Sequence, residues 1–147
     1  MRHLNAKHML WAALFFFTAC ALSACDTLFG PDDEVVLGRL SYFGHPSLVQ
    51  APDTVLVGVP FNVVVRTYGG GCISYGHTDV AYTSPRVIGV RPYDIDSLED
   101  VCTDELSLFD HTAELAVDSP GTWVIQFHGR QIPPDTVIII ERSVHAR

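Results

Sequence analysis

The residues with metal-binding potential are His45, His77, Asp79, His111 and His128. His77 and Asp79 are two apart, so on a strand they share one face, an arrangement that suits a metal ion or equally a solvated rim. His111 and His128 fall where two strands of a hairpin would bring them together. The metal candidates are therefore His77, Asp79 and His128, each set against the plainer reading of a packed or solvated strand residue. Asp94, Asp96, Glu99 and Asp100 crowd one short stretch. A calcium loop of EF-hand type would need an oxygen where Leu98 stands and a glycine where Glu99 stands, so the stretch reads instead as an acidic, solvated loop and a possible binding loop. Covalent chemistry has less to work with. There is no Gly-x-Ser-x-Gly elbow, and Gly69-Gly70-Gly71 has no lysine beside it to hold a phosphate, because Lys7 is the sole lysine. A copper site of the sandwich type lacks both an axial methionine, the two methionines being Met1 and Met9, and a tight Cys-then-His loop after Cys102. No catalytic residue and no cofactor are assigned, and the chain is not expected to be an enzyme.

The four cysteines lead to the N-terminus. Arg2, His3, Lys7 and His8 precede an almost wholly apolar run that ends on small residues, the charge and hydropathy order of a secretory signal. The run is short for a membrane span, which needs about 20 residues. At its end, Leu22-Ser23-Ala24-Cys25 resembles the lipobox of bacterial lipoproteins, in which a branched residue and two small ones precede the cysteine that becomes the new N-terminus. Cys20 is the rival, but Phe17-Thr18-Ala19 sets an aromatic where the other motif has Leu22. The resemblance implies cleavage of residues 1–24, a signal-peptide helix, and a covalent lipid on Cys25. Stable anchoring takes two or more acyl chains, and the family carries more than one. Asp26 resembles the signal that retains such proteins in the inner membrane of enteric-type bacteria, although the sequence leaves inner and outer membrane both open. The competing reading is an uncleaved helix with ordinary buried cysteines.

With Cys25 acylated and Cys20 removed, Cys72 and Cys102 remain, and export takes the chain into an oxidising compartment. The expectation is a Cys72–Cys102 disulfide; two free thiols are the alternative. Loss of Arg2 and Lys7 moves the net charge from -8 to -10, since all 17 acidic residues lie beyond residue 24. Nucleic acid is an improbable partner for such a chain. A surface this acidic is expected to have no basic patch for phosphates or anionic lipid head groups, so that the acyl chains alone would hold it to the bilayer.

The elements that must position these residues are strands. Residues 26–34 are rich in Gly, Pro and acids, a tether. Residues 35–42, 54–57, 61–68, 77–83, 86–93, 108–117, 122–128 and 136–141 then read as strands, from alternation or from β-branched runs bounded by Gly and Pro. The clearest is 61–68, where Phe61, Val63 and Val65 share a face. Pro92 is expected to confine its strand to a sheet edge or a bulge. Seven to eight strands with regular turns predict an all-β, antiparallel sandwich. Val59-Pro60-Phe61-Asn62-Val63-Val64-Val65 and the hairpin through Asp118-Ser119-Pro120-Gly121-Thr122-Trp123 resemble bacterial immunoglobulin-like domains, though no cysteine sits where the inter-sheet bridge of antibody domains would be. The expected organisation is signal peptide 1–24, lipidated tether 25–34, immunoglobulin-like sandwich 35–142 and C-terminal tail 143–147. Its expected role is that of a non-enzymatic binding or structural module of the cell envelope, facing the periplasm or exterior, with an envelope protein or glycan as partner. A metal- or small-ligand-binding periplasmic protein is the alternative, and a protease-inhibitor-like module a weaker one.

Overall fold

The period-2 stretches become strands because each has one apolar face to bury. In β5 (Phe61–Gly69) Val63, Val65 and Thr67 point inward, and in β9 (Gly121–Ile132) Trp123, Ile125 and Phe127 do the same while Thr122, Val124, Gln126 and His128 stay at least partly exposed. The computed structural model describes residues 33–99 and 101–147; the expected signal, the lipidated cysteine, the tether up to residue 32 and Asp100 lie outside the described residues, while Glu34, expected to end the tether, opens the first strand. Among the described residues there are ten strands and no helix. Besides β5 and β9 they are β1 (Glu34–Leu37), β2 (Arg39–Tyr42), β3 (Val49–Gln50), β4 (Thr54–Val55), β6 (Ile73–Ser84), β7 (Val87–Asp96), β8 (Ser107–Leu115) and β10 (Thr136–Ala146).

These form two sheets. The larger has seven strands along the path β1-β7-β9-β10-β4, with β2 also on β9 and β6 also on β7; the smaller is β3-β5-β8. Val63 and Val65 of β5 and Ala113 and Leu115 of β8 meet Ile88, Val90, Ile125, Phe127 and Val144 of the larger sheet in one apolar cluster, so the sheets face each other across a shared core. Burying a side chain of that size contributes roughly 1.5–3 kcal/mol.

Three expectations are corrected by this arrangement. The sheets are mixed, not antiparallel throughout: β7 with β9, β2 with β9 and β10 with β4 are parallel pairs. The count is ten because residues 35–42 break at Gly38 and residues 46–57 contribute two strands of two residues each. The tail at 143–147 is not a tail. β10 runs to Ala146, burying Val144 and Ala146, and the amides of His145 and Arg147 donate to Asp53 and Val55.

The break at Gly38 has a steric cause. β7 and β9 pair over Val87–Val90 and then diverge, and the N-terminal strand enters the gap. Gly38 stands at the point of entry, donating to the Pro92 carbonyl and accepting from the Arg130 amide, both at 2.9 Å. A Cβ on Gly38 would lie 2.4 Å from Thr67 Cγ2, a distance no side chain tolerates. Pro92 is accordingly interior to the sheet, not at its edge: β6 pairs on one side, and on the other its partner changes from β9 to β1. A bulge between Tyr75 and His77 lies nearby on β6.

Candidate functional site

Alternation along β8 continues through a histidine. His111, Ala113 and Leu115 all point inward, so the strand that fills the core also delivers an imidazole into it. On β7 the inward positions after Ile88 and Val90 are Pro92 and Asp94, and on β5 Thr67 follows Val65. Thr67 and His111 are 0% exposed and Asp94 1%. Packing apolar faces together thus brings three polar side chains into contact, and burial without partners would cost each of them dearly.

They satisfy one another in large part. His111 Nε2 is 3.0 Å from Asp94 Oδ1, and the Thr67 hydroxyl is 3.2 Å from both atoms. A carboxylate oxygen accepts, so Nε2 donates toward Asp94, and Nδ1 lies 3.2 Å from the Thr78 hydroxyl. Tyr75 of β6 stacks on the imidazole with ring centroids 4.6 Å apart. Asp94 Oδ2 is buried with no hydrogen-bond donor. One residue from each of β5, β6, β7 and β8 joins this network, so it ties the seven-stranded sheet to the three-stranded one. The groups and distances resemble a proton relay, but Thr67, His111 and Asp94 are closed off from solvent, and a nucleophile must reach its substrate. What the arrangement does in this structure is hold two sheets in register.

The acidic stretch does not form one loop. Asp94 and Asp96 belong to β7, not to a loop as expected, and Asp94 is core. Asp96 Oδ1 accepts from the Leu98 amide at 3.1 Å, and Leu98 adopts φ 51°, a left-handed conformation uncommon for a branched side chain. Glu99 is exposed, and Asp100 lies outside the described residues. Cys72 and Cys102 form a disulfide, with Cα atoms 5.2 Å apart, that fastens the β5–β6 loop to the β7–β8 segment. The Gly71 amide reinforces it by donating to the Thr103 carbonyl, and the Ser97 amide by donating to Cys72.

His77, Asp79 and His128 share the outer face of the seven-stranded sheet but do not converge. His77 and Asp79 on β6 are 3.7 Å apart and stack and solvate at the edge, His77 lying against Tyr93. His128 is two strands away on β9, with Arg91 of β7 between, and burial and the Arg91 charge both hold its imidazole below the ordinary value of 6.5. A guanidinium in that position repels a cation. Among the described residues no group of three His, Cys, Asp or Glu side chains is placed to hold a metal.

The buried network was not singled out from the sequence, although its signal was present: His111 keeps the parity of Ala113 and Leu115. Asp94 was obscured by its acidic neighbours. No protein-family model, no curated protein and no solved structure matches the chain.

Proposed function

We propose that this protein is a lipid-anchored, non-enzymatic envelope protein whose immunoglobulin-like β-sandwich presents a binding surface at its disulfide-bonded end. The observation that carries the reading is the apolar character of that end. Leu98, Val101, Leu106 and Leu108 stand exposed, Val101 at 84%, on or beside a segment fastened by Cys72–Cys102. Exposed apolar side chains spaced closely along one segment favour a binding site, and a segment already fastened loses less entropy on association. Glu99 and Asp104 add charge for orientation beside this surface. The immunoglobulin-like assignment is supported by two facing sheets with β5 and β8 against β7 and β9. Anchoring through Cys25 and export are supported by the Leu22-Ser23-Ala24-Cys25 motif and by a disulfide that an oxidising compartment would preserve. A protein or glycan of the envelope is the expected partner, and the net charge of -8 argues against nucleic acid.

Two substitutions test the binding surface and one the anchor. In living cells, cross-linking followed by quantitative mass spectrometry is expected to lose a defined partner when Leu98→Ser and Val101→Ser are combined. Each residue contributes about tenfold in affinity if buried on binding. Thr54→Ala at β4 is expected to retain the same partner. An identical cross-linked set for both variants overturns the binding surface. Cys25→Ser is expected to abolish incorporation of an alkyne-labelled fatty acid, and undiminished labelling overturns the anchor.

A further inference from the structure

The outer face of the seven-stranded sheet carries a second feature, independent of the loops. Where the N-terminal strand enters between β7 and β9, it brings three arginines to one place. Arg39 of β2 is the register partner of Arg130 of β9. The last pair between β7 and β9 is Val90 with Phe127, so Arg91 follows beside His128, and His128 stands two residues before Arg130 on the same outer face of β9. All three are half-buried and alternate with inward Leu40, Gly129, Val90 and Pro92, which directs them outward. The Arg91 charge also acts on the His128 ring, after burial, to lower its proton affinity.

The acidic groups on this face are few and mostly engaged. Asp135 takes Arg130, Glu141 accepts from Gln126, and Asp79, across from Arg91, lies nearest His77. Arg39 and Arg91 form no side-chain hydrogen bond or ion pair among the described residues. Beside them on β10, Val137 and Ile139 are exposed at 67% and 52%, registered against Arg130 and His128.

We infer that this face rests on the anionic surface of a bilayer, with Arg39, Arg91 and Arg130 on lipid phosphates and Val137 and Ile139 at the head-group boundary. Three considerations select that occupant. The arginines stand on the open face of a sheet, so they match an extended anionic plane better than a small molecule. Exposed β-branched side chains next to guanidinium groups suit an interface that is charged outside and apolar beneath. Eight residues lie between Cys25 and Glu34, so a chain anchored as proposed above holds the start of its first strand within about 30 Å of the bilayer. The net charge of -10 that remains beyond residue 24 opposes docking only weakly. Exposed acids separated from the bilayer by more than about 8 Å of solution are largely screened at physiological salt, whereas arginines in contact with the phosphates are not.

The inference rests on the lipid-anchor reading for its geometry, and the test separates the two. The full chain, purified from membranes, is reconstituted in nanodiscs of phosphatidylcholine with or without phosphatidylglycerol and treated with phenylglyoxal, and modified arginines are quantified by mass spectrometry. The mass of the N-terminal peptide reports lipidation. Arg39, Arg91 and Arg130 are expected to be protected only where phosphatidylglycerol is present, with protection lost at high salt and Arg66 and Arg142 reacting equally in both. If the peptide carries no acyl mass, the anchor reading falls, and the same footprint is taken with vesicles added to the chain. In that format Arg39→Gln combined with Arg91→Gln is expected to weaken partitioning about 25-fold, near fivefold per arginine. Equal reactivity of the three arginines with and without phosphatidylglycerol overturns the inference. So does equal protection by alginate in pure phosphatidylcholine, which would assign the face to an anionic glycan.

Discussion

His111 and Asp94 show how far a single side chain can depart from what its type suggests. A histidine and an aspartate 3.0 Å apart resemble working chemistry, yet both are closed within the core, where breaking one partner leaves the other without its hydrogen bond. Asp94→Ala and His111→Ala are each expected to destabilise the fold by about 3 kcal/mol. A double-mutant cycle by urea unfolding is expected to return a coupling of about 1–3 kcal/mol. Additive losses would mean the pair does not join the sheets. His128 carries a pH effect of known sign. Its proton affinity is lowered in the fold, chiefly by burial and further by Arg91, so folding favours the neutral ring. Its contribution is fully present above about pH 6.5 and is lost as the pH falls below that value. His128→Gln should therefore flatten the fall of thermal midpoint between neutral and mildly acid pH, and an unchanged slope would count against it. Asp110, held below its ordinary 3.8 by Arg66, acts only at lower pH and from an exposed position, so it does not mask the effect.

At the scale of elements, the strands with uninterrupted alternation were legible and the junctions were not. Residues 61–68 and 122–128 predict β5 and β9 because side chains at period 2 report directly on a buried face. The split of the first strand at Gly38 depends on β7 and β9 diverging, which is a property of two distant segments and leaves no periodic trace in the third. The same holds for residues 143–146: Glu141, Arg142 and Ser143 read as polar and terminal, whereas pairing with Gly121 to Val124 extends β10 to Ala146. The disulfide was foreseen because only two cysteines remained to pair once the N-terminal ones were set aside. Its loop of about 30 residues corresponds to roughly 3–4 kcal/mol in the chain-entropy account. Cys72→Ser with Cys102→Ser is expected to lose that amount in chemical denaturation under oxidising conditions, and to raise proteolysis within residues 97–106 before any other segment. Cleavage that begins elsewhere would show that the disulfide does not fasten this rim.

For the whole molecule, net charge says less than the placement of the charges. A net charge of -10 beyond residue 24 leads to the expectation of no basic patch, but net charge is a sum and says nothing about where its members lie. Arg39, Arg91 and Arg130 are separated by dozens of residues, and the register of β2, β7 and β9 sets them on one face. The proposed orientation follows from that face, and the binding rim from the disulfide-bonded end. The sequence by itself determined the all-β class, the main strands, the two cysteines available to pair and the motif at Cys25, because each is local: a period, a composition or a short run of neighbours. Tertiary structure alone decided that Asp94 is core and not loop, that His128 stays apart from His77 and Asp79, that Thr67, Thr78 and His111 meet, and that Arg39 pairs with Arg130. Each of these depends on which strands lie side by side and in what register, and the side-chain pattern of one strand carries no record of its neighbour's.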